Sequence, residues 1–267
     1  MFAAILICGL MVSSCKKDPA PEPEPTTQTV LAGIVAIGYP VYDSVTYSFE
    51  YDAQYRLVRS KAVFTNSNEV IKDFRFTYSE GHLSVNGLTE GNPQVYECTL
   101  DSVGNITHID ETSVLNDTMT IYRTYDYTYN AEGRMMSEFI ISDDSSTGTT
   151  QIFTWEGDEI RSVSTSEGFI VLDYETSDAP AQALLHLLGY NIELSELCLQ
   201  GCFGSLPAHM PSKRTMTTTL PIPGMDPFVW TNNYAYTLNA EGRLATLVDT
   251  GDSHGETTSY TFIWEER

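Results

Sequence analysis

The chain is short of basic residues: 14 Lys and Arg stand against 36 Asp and Glu, a formal net charge of −22 over 267 residues. A surface of that sign repels phosphate backbones, which disfavours nucleic acid as a partner. A polybasic patch for anionic lipid headgroups is missing as well. After the apolar run Phe2–Val12 no second stretch of about 18 apolar residues occurs, so no transmembrane helix is expected. Cysteine is scarce. Beyond the first 15 residues there are only Cys98, Cys198 and Cys202, with no spacing that assembles a four-ligand zinc site. Cys198 and Cys202, split by Leu-Gln-Gly, could pair across a tight loop, which would leave Cys98 as a core thiol on a strand.

Catalytic signatures are equally sparse. No Gly-x-Ser-x-Gly elbow, His-Glu-x-x-His pair or glycine-rich phosphate loop occurs, and His82, His108, His186, His209 and His254 are scattered. Two acidic loops, Asp143-Asp144-Ser145-Ser146 and Asp249–Glu256, could offer oxygens to calcium, which takes six to eight of them. Neither has the twelve-residue helix–loop–helix pattern, and no cofactor is expected. Some pair among 36 acids will meet the spacing of a glycosidase by chance, so none is singled out. The expectation is a protein that is not an enzyme, with a polysaccharide hydrolase as the least favoured reading.

What is present begins with an address. The apolar run ends in Val12-Ser13-Ser14-Cys15, too short to span a bilayer and closed by small residues, as in a signal peptide. Small residues before a cysteine resemble the bacterial lipobox, which implies cleavage before Cys15 and acylation of its thiol. Met1-Phe2 carries no positive charge, so an earlier start codon is expected. Residues 15–29 are rich in Pro and Glu and read as an extended tether, reaching ~40 Å at about 3.1 Å per residue.

From residue 30 to residue 267 one β domain is expected. Val45-Tyr47-Phe49-Tyr51, Phe74-Phe76-Tyr78, Tyr125-Tyr127-Tyr129, Phe153-Trp155, Tyr234-Tyr236-Leu238 and Tyr260-Phe262-Trp264 alternate with polar residues. Period two with aromatics on one side means strands with one buried face. The segment Tyr129-Asn130-Ala131-Glu132-Gly133-Arg134-Met135 returns as Leu238-Asn239-Ala240-Glu241-Gly242-Arg243-Leu244, and weaker copies recur about every 23–29 residues. Asn-Ala-Glu-Gly suits a type I turn closed by a left-handed glycine, which would fix Gly133-Arg134 and Gly242-Arg243 at hairpin turns. Roughly 12–16 antiparallel strands in a meander cannot stay flat, and an open or incomplete barrel is predicted.

The rhythm breaks between residues 176 and 212. Asp178-Ala179-Pro180 can start a helix whose stripe Ala183-Leu184-Leu185-Leu187-Leu188 runs to Gly189, and Ile192–Leu199 can form another helical turn. This helical insertion is expected to pack on or plug the concave face, with a movable lid over a ligand cleft as the alternative. Trp230, beside Pro227-Phe228 and outside the repeat, is the best candidate for an exposed ligand platform.

The repeated aromatic-x-Tyr-(Asp/Asn)-x-x-Gly-Arg-(Leu/Met) unit resembles the YD repeat of large bacterial surface proteins. With the lipobox, the insertion and Gly204-Ser205-Leu206-Pro207, the chain is similar to a Bacteroidetes lipoprotein family of unknown function described as having a porin-like β fold. Lys16-Lys17-Asp18 with Glu22 and Glu24 resembles the charged tract that sends some of these lipoproteins to the cell surface. The resemblance implies an outer-membrane, lipid-anchored protein and brings no catalytic residues. Partners expected are the membrane, through the acyl chains, and a glycan, peptide or envelope protein. The function expected is a non-catalytic ligand-binding or adhesion module, with a structural accessory subunit of an outer-membrane complex as the alternative. Lys72-Asp73 and Arg123 in central strands argue against a barrel that itself crosses the bilayer.

Overall fold

The alternating segments form strands throughout the computed structural model, which describes residues 28–38, 41–115, 119–143, 147–166, 168–174, 194–218, 226–251 and 257–267. The first eight are β1 (Thr29–Gly38), β2 (Val41–Tyr51), β3 (Leu57–Phe64), β4 (Val70–Ser79), β5 (His82–Thr89), β6 (Asn92–Leu100), β7 (Ile106–Leu115) and β8 (Met119–Tyr129). The rest are β9 (Met135–Ser142), β10 (Thr149–Glu156), β11 (Glu159–Thr165), β12 (Gly168–Asp173), β13 (Lys213–Thr218), β14 (Val229–Leu238), β15 (Leu244–Gly251) and β16 (Thr257–Glu266). Each pairs antiparallel with its sequence neighbours. β1 then pairs with β16, bringing Ile34 opposite Phe262, so the sheet is a closed barrel and not the open one expected. Closure removes both edges, which would otherwise expose unpaired backbone groups.

One end of the barrel carries the tight hairpin turns and is here termed the turn end. Four turns share one construction. Asn130 Oδ1 accepts from the backbone N–H of Glu132 (3.1 Å) and Arg134 (2.9 Å), and Asn239 Oδ1 from Glu241 (3.1 Å) and Arg243 (2.8 Å). Asp52 and Asp101 do the same for Gln54 and Arg56, and for Val103 and Asn105. The fourth residue takes positive φ: Gly104 at 98°, Gly133 at 75° and Gly242 at 74°, with Tyr55 at 59° in the copy that lacks glycine. The hairpin roles expected of Gly133 and Gly242 are therefore the observed ones.

Arginine in these turns has a second partner. Arg134 lies over the Trp155 ring at 5.3 Å, Arg243 over Trp264 at 6.0 Å and Arg56 over Tyr78 at 4.9 Å. Trp155 and three tyrosines near the turn end reach back to the preceding strand. Trp155 donates to the Met135 carbonyl (2.8 Å), Tyr129 to Ile106 (2.7 Å), Tyr51 to Leu31 (2.8 Å) and Tyr174 to Ile160 (3.0 Å). At Trp155 and Trp264 one ring thus both staples a hairpin and carries its arginine.

Sixteen-stranded barrels are wide enough to leave a channel unless something fills them. Residues 194–212 do so at the turn end. Leu194, Leu197, Phe203 and Met210 are buried, each worth about 1.5–3 kcal/mol of apolar transfer, and Phe203 packs edge-on against Tyr127 at 5.2 Å. The segment also satisfies wall backbone left open by the turn bulges. Gln200 Oε1 accepts from Leu57 N–H (3.1 Å), Cys202 O from Ile106 N–H (2.6 Å), and Ser205 N–H donates to Gly133 O (2.8 Å). Glu196 adds an ion pair with Lys72 on β4 and a hydrogen bond from Ser60 at 3.1 Å.

The plug is real, but its form differs from expectation. The helix expected at 178–189 lies outside the described residues. Among the described ones the insertion holds a single 3-10 helix, Ser195–Gln200, flanked by left-handed Leu194 and Gly201, and is otherwise irregular. The Cys198–Cys202 disulfide is not made: both are buried in the core as thiols, as is Cys98. The Cys202 N–H closes onto Leu197 O (3.2 Å) and Gly201 N–H onto Cys198 O (3.1 Å). This turn is held by backbone hydrogen bonds, while burial pushes the Cys202 thiol up to about 11 and Cys98 to about 12.

Candidate functional site

The barrel's polarity decides what kind of surface it offers. On the outer wall Arg59 grips Asp73 through two hydrogen bonds of 2.8 Å, and Glu50 joins them at 3.2 Å. Farther round, His108 bridges Asp126 (2.7 Å) and Asp110 (3.2 Å). A membrane-spanning barrel needs an apolar band about 25 Å tall on that face and a polar lumen. Here the aromatics Phe49, Phe74, Tyr96, Tyr125 and Phe153 are buried inside, and the Arg59 and His108 clusters lie outside. Those outer clusters are charged and hydrogen-bonded, unlike the apolar band of a lipid-facing wall.

With the turn end plugged, the interior changes character toward the opposite, loop end. Glu111 on β7 is buried, yet its oxygens take hydrogen bonds from Tyr125 OH (2.5 Å), Ser113 and Arg123 (3.4 Å). Glu138 on β9, fully buried, accepts from Gln151 Nε2 on β10 at 2.8 Å. On the other side of the barrel Arg214 Nη2 donates to Asn232 Oδ1 (2.9 Å), whose Nδ2 donates to Asp249 Oδ1 (2.8 Å). Arg214, Asn232, Asp249, Trp230 and Tyr260 face inward by strand parity and are only half-buried. An inward side chain that is not buried is exposed to the interior, so among the described residues the loop end is the mouth of a polar cup floored by apolar residues.

Trp230 and Phe228 stand at that mouth. Their ring centroids are 5.2 Å apart with planes tilted by 51°, and Phe228 is 59% exposed. Sequence reasoning placed these two together, and the structure does so. Below Trp230 on the same inward row of β14 come Asn232 and Tyr234, residues the sequence reading passed over. Parity from Trp230 at i+2 and i+4 could have found them. Arg214 and Asp249 had no such signal, since they arrive by register: Arg214 opposite Asn232 and Asp249 opposite Tyr234. Burial holds the Asp249 carboxyl above its usual range, against the pull of the Asn232 hydrogen bond and the Arg214 charge. Burial likewise pushes the Tyr234 hydroxyl up, so it remains a donor.

Two solved structures share this architecture. A porin-like protein from Bacteroides uniformis ATCC 8492 superposes with a TM-score of 0.60 at 15% identity, over 89% of this chain and 99% of that one. A porin-like protein from Bacteroides vulgatus ATCC 8482 gives a TM-score of 0.63 at 9% identity, over 89% and 99% of the two chains. The fold is porin-like. At these identities the likeness is one of architecture alone, and the polarity of this chain's wall is its own. No family model and no curated protein matches the sequence.

The remaining sequence candidates are dispersed. Cys15 lies outside the described residues. The two acidic loops fall partly outside them, at 144–146 and 252–256, and Asp249 belongs to the inner wall of β15. Among the described residues no cluster of three or more His, Cys, Asp or Glu could hold a metal ion.

Proposed function

We propose that this chain is a non-catalytic ligand-binding module of the bacterial envelope, anchored by lipid at Cys15, that takes its ligand at the loop-end mouth of the barrel. The observation that carries the reading is the tilted Phe228–Trp230 pair at the loop end of a barrel plugged at the other. Orientation supports it. β1 starts beside the C-terminal residue at the plugged end, where Gln28 and Arg267 exchange two backbone hydrogen bonds of 3.0 Å. An N-terminal anchor therefore pulls on the plugged end and leaves the mouth facing away from the bilayer. Enzymatic use of Glu111 is not favoured, because its oxygens are engaged by Tyr125, Ser113 and Arg123.

Two measurements test the proposal. Cys15→Ala should move the protein out of the membrane fraction, and membrane retention would contradict the anchor. In a glycan and peptide binding screen on the full-length protein in detergent, Trp230→Ala should abolish whatever binding is seen. Binding that survives it would place the site elsewhere.

A second reading, an accessory subunit docked in an envelope complex, is favoured by the outer face of β8–β12. Tyr122, Phe139, Ile141, Ile152 and Phe169 are all exposed there. Ile152→Glu should then release a co-purifying envelope protein, while leaving binding at the mouth unchanged.

A further inference from the structure

Resting on the mouth as the binding site, we infer that the inward row of β14, with Arg214 and Asp249 beside it, is a subsite for a neutral saccharide.

The argument starts from the row itself. Trp230, Asn232 and Tyr234 occupy alternate positions of one strand and so line one inner face, about 3.4 Å apart per residue along the strand. Trp230 supplies an apolar platform at the top. A pyranose presents one C–H face that can stack on such a ring and a rim of hydroxyls that both donate and accept. The groups below match that rim. Asn232 is held by Arg214 on one side and holds Asp249 on the other, at 2.9 and 2.8 Å, so amide, guanidinium and carboxyl are fixed before any ligand arrives. Pre-organised polar groups lose little conformational entropy on binding.

Tyr234 is the second and independent observation. It is only 7% exposed, and its hydroxyl has no hydrogen-bond partner among the described residues. Leaving a buried hydroxyl unsatisfied costs about 1–3 kcal/mol, which a hydroxyl of the ligand would relieve. Asp249 sits opposite it in register, with its carboxyl desolvated, so the two side chains stand side by side on the inner face of β14 and β15.

The same observations select against other ligand classes. A net charge of −22 repels acidic glycans and other anions. An extended peptide most often binds by adding a strand to a sheet edge. The β1–β16 pairing closes the barrel and leaves no such edge. Neutral sugars need neither an edge nor a net charge.

The test uses the full-length protein in detergent against immobilised β-1,4-, β-1,3- and α-1,4-linked glucan hexaoses, with hexagalacturonate as the acidic comparison and a peptide library in parallel. At least one neutral hexaose should bind more tightly than hexagalacturonate. Trp230→Ala should weaken that binding at least tenfold. Tyr234→Phe should weaken it roughly 2–10-fold, the worth of one hydrogen bond, with the melting temperature unchanged or raised because no protein partner is lost. Asn232→Ala gives a second variant should Tyr234→Phe misfold, with the same direction expected. Hexaose binding that falls with Trp230→Ala but ignores Tyr234→Phe and Asn232→Ala overturns the subsite and leaves the mouth as the site. Binding of peptides alone, lost with Trp230→Ala, does the same. No binding to any hexaose or peptide overturns both.

Discussion

The indole N–H of Trp264 donates to the carbonyl of Leu244 at 2.8 Å, while the guanidinium of Arg243 lies over the same ring at 6.0 Å. Leu244 follows the Asn239–Arg243 turn and Trp264 ends the next strand, so one aromatic ties a hairpin to the strand that follows it. Trp155 makes the same two contacts with Met135 and Arg134. The Gly-Arg of the repeat is therefore structural: glycine makes the turn and arginine covers the staple. Trp264→Phe keeps a ring under Arg243 but strips the donor, removing the part-buried hydrogen bond to the Leu244 carbonyl. A loss of about 1–2 kcal/mol in urea unfolding is expected, with Arg243→Ala costing about 0.5–1 kcal/mol for the exposed cation–π contact. Equal losses for the two variants would show that the ring, not its N–H, does the holding.

This much was legible in the sequence, and the reason is that it is local. Asn130 and Asn239 bind backbone groups two and four residues on, so their motif repeats wherever the turn does. The weak copy at Asp52 keeps the same hydrogen bonds although Tyr55 replaces glycine, at φ 59°. Closure was not legible, because pairing Ile34 with Phe262 joins the two ends of the domain and no nearby residue records it. The candidate site divides the same way. Phe228 and Trp230 are neighbours in sequence, whereas Arg214, Asn232 and Asp249 meet only through the register of three strands. The buried Glu111, Glu138 and Glu196 could not be told from the other acids, since burial and partners come with the tertiary structure.

Two glycines with similar backbone angles should answer mutation very differently. Gly242 has φ 74° and open space where a Cβ would stand. Gly204, in the plug, has φ 77°, but its Cβ would meet Gly133 O at 2.1 Å and the Tyr129 ring at 3.0 Å. Gly242→Ala should cost about 1–2 kcal/mol, the left-handed strain alone. Gly204→Ala must also push the plug off the β8–β9 turn, breaking the Ser205–Gly133 hydrogen bond, and should cost upwards of about 3 kcal/mol. Urea melts of the two variants decide it, and equal costs would mean the plug tolerates displacement.

His108 gives the outer wall a pH dependence. Hydrogen bonding to Asp126, with Asp110 adding to it, raises the imidazole above its ordinary value, against a smaller desolvation effect. The folded state therefore holds the proton more tightly than the unfolded chain. The stabilisation is fully present below the unfolded value of about 6.5 and is lost as pH rises through the raised folded value. His108 is partly exposed, so solvent screening limits the effect to less than about 1 kcal/mol. Comparing wild type with His108→Gln by urea unfolding should show a stability difference that is larger at pH 5.5 than at pH 8.5. A difference that grows with pH would mean the imidazole is held neutral.

The ion pair between Lys72 and Glu196 joins the plug to the wall, and its worth is measurable apart from either residue's burial. Glu196 is nearly inaccessible and also accepts from Ser60 at 3.1 Å, whereas Lys72 keeps some exposure and its ammonium lies 4.5 Å from the Phe74 ring centroid. Removing the cation alone leaves a carboxylate in the interior without its charge partner. Lys72→Met should therefore destabilise by about 3–5 kcal/mol, more than the pair itself contributes. Glu196→Gln keeps the shape and a hydrogen-bonding group, and its cost should be smaller because Lys72 can turn toward solvent. In the double variant Lys72→Met/Glu196→Gln no buried charge remains, so most of the Lys72→Met loss should be recovered. A double-mutant cycle by urea unfolding then gives a coupling energy of about 1–3 kcal/mol. Additive losses would mean that the plug is held by Phe203, Leu197 and the backbone hydrogen bonds alone, with the ion pair contributing nothing to its seating.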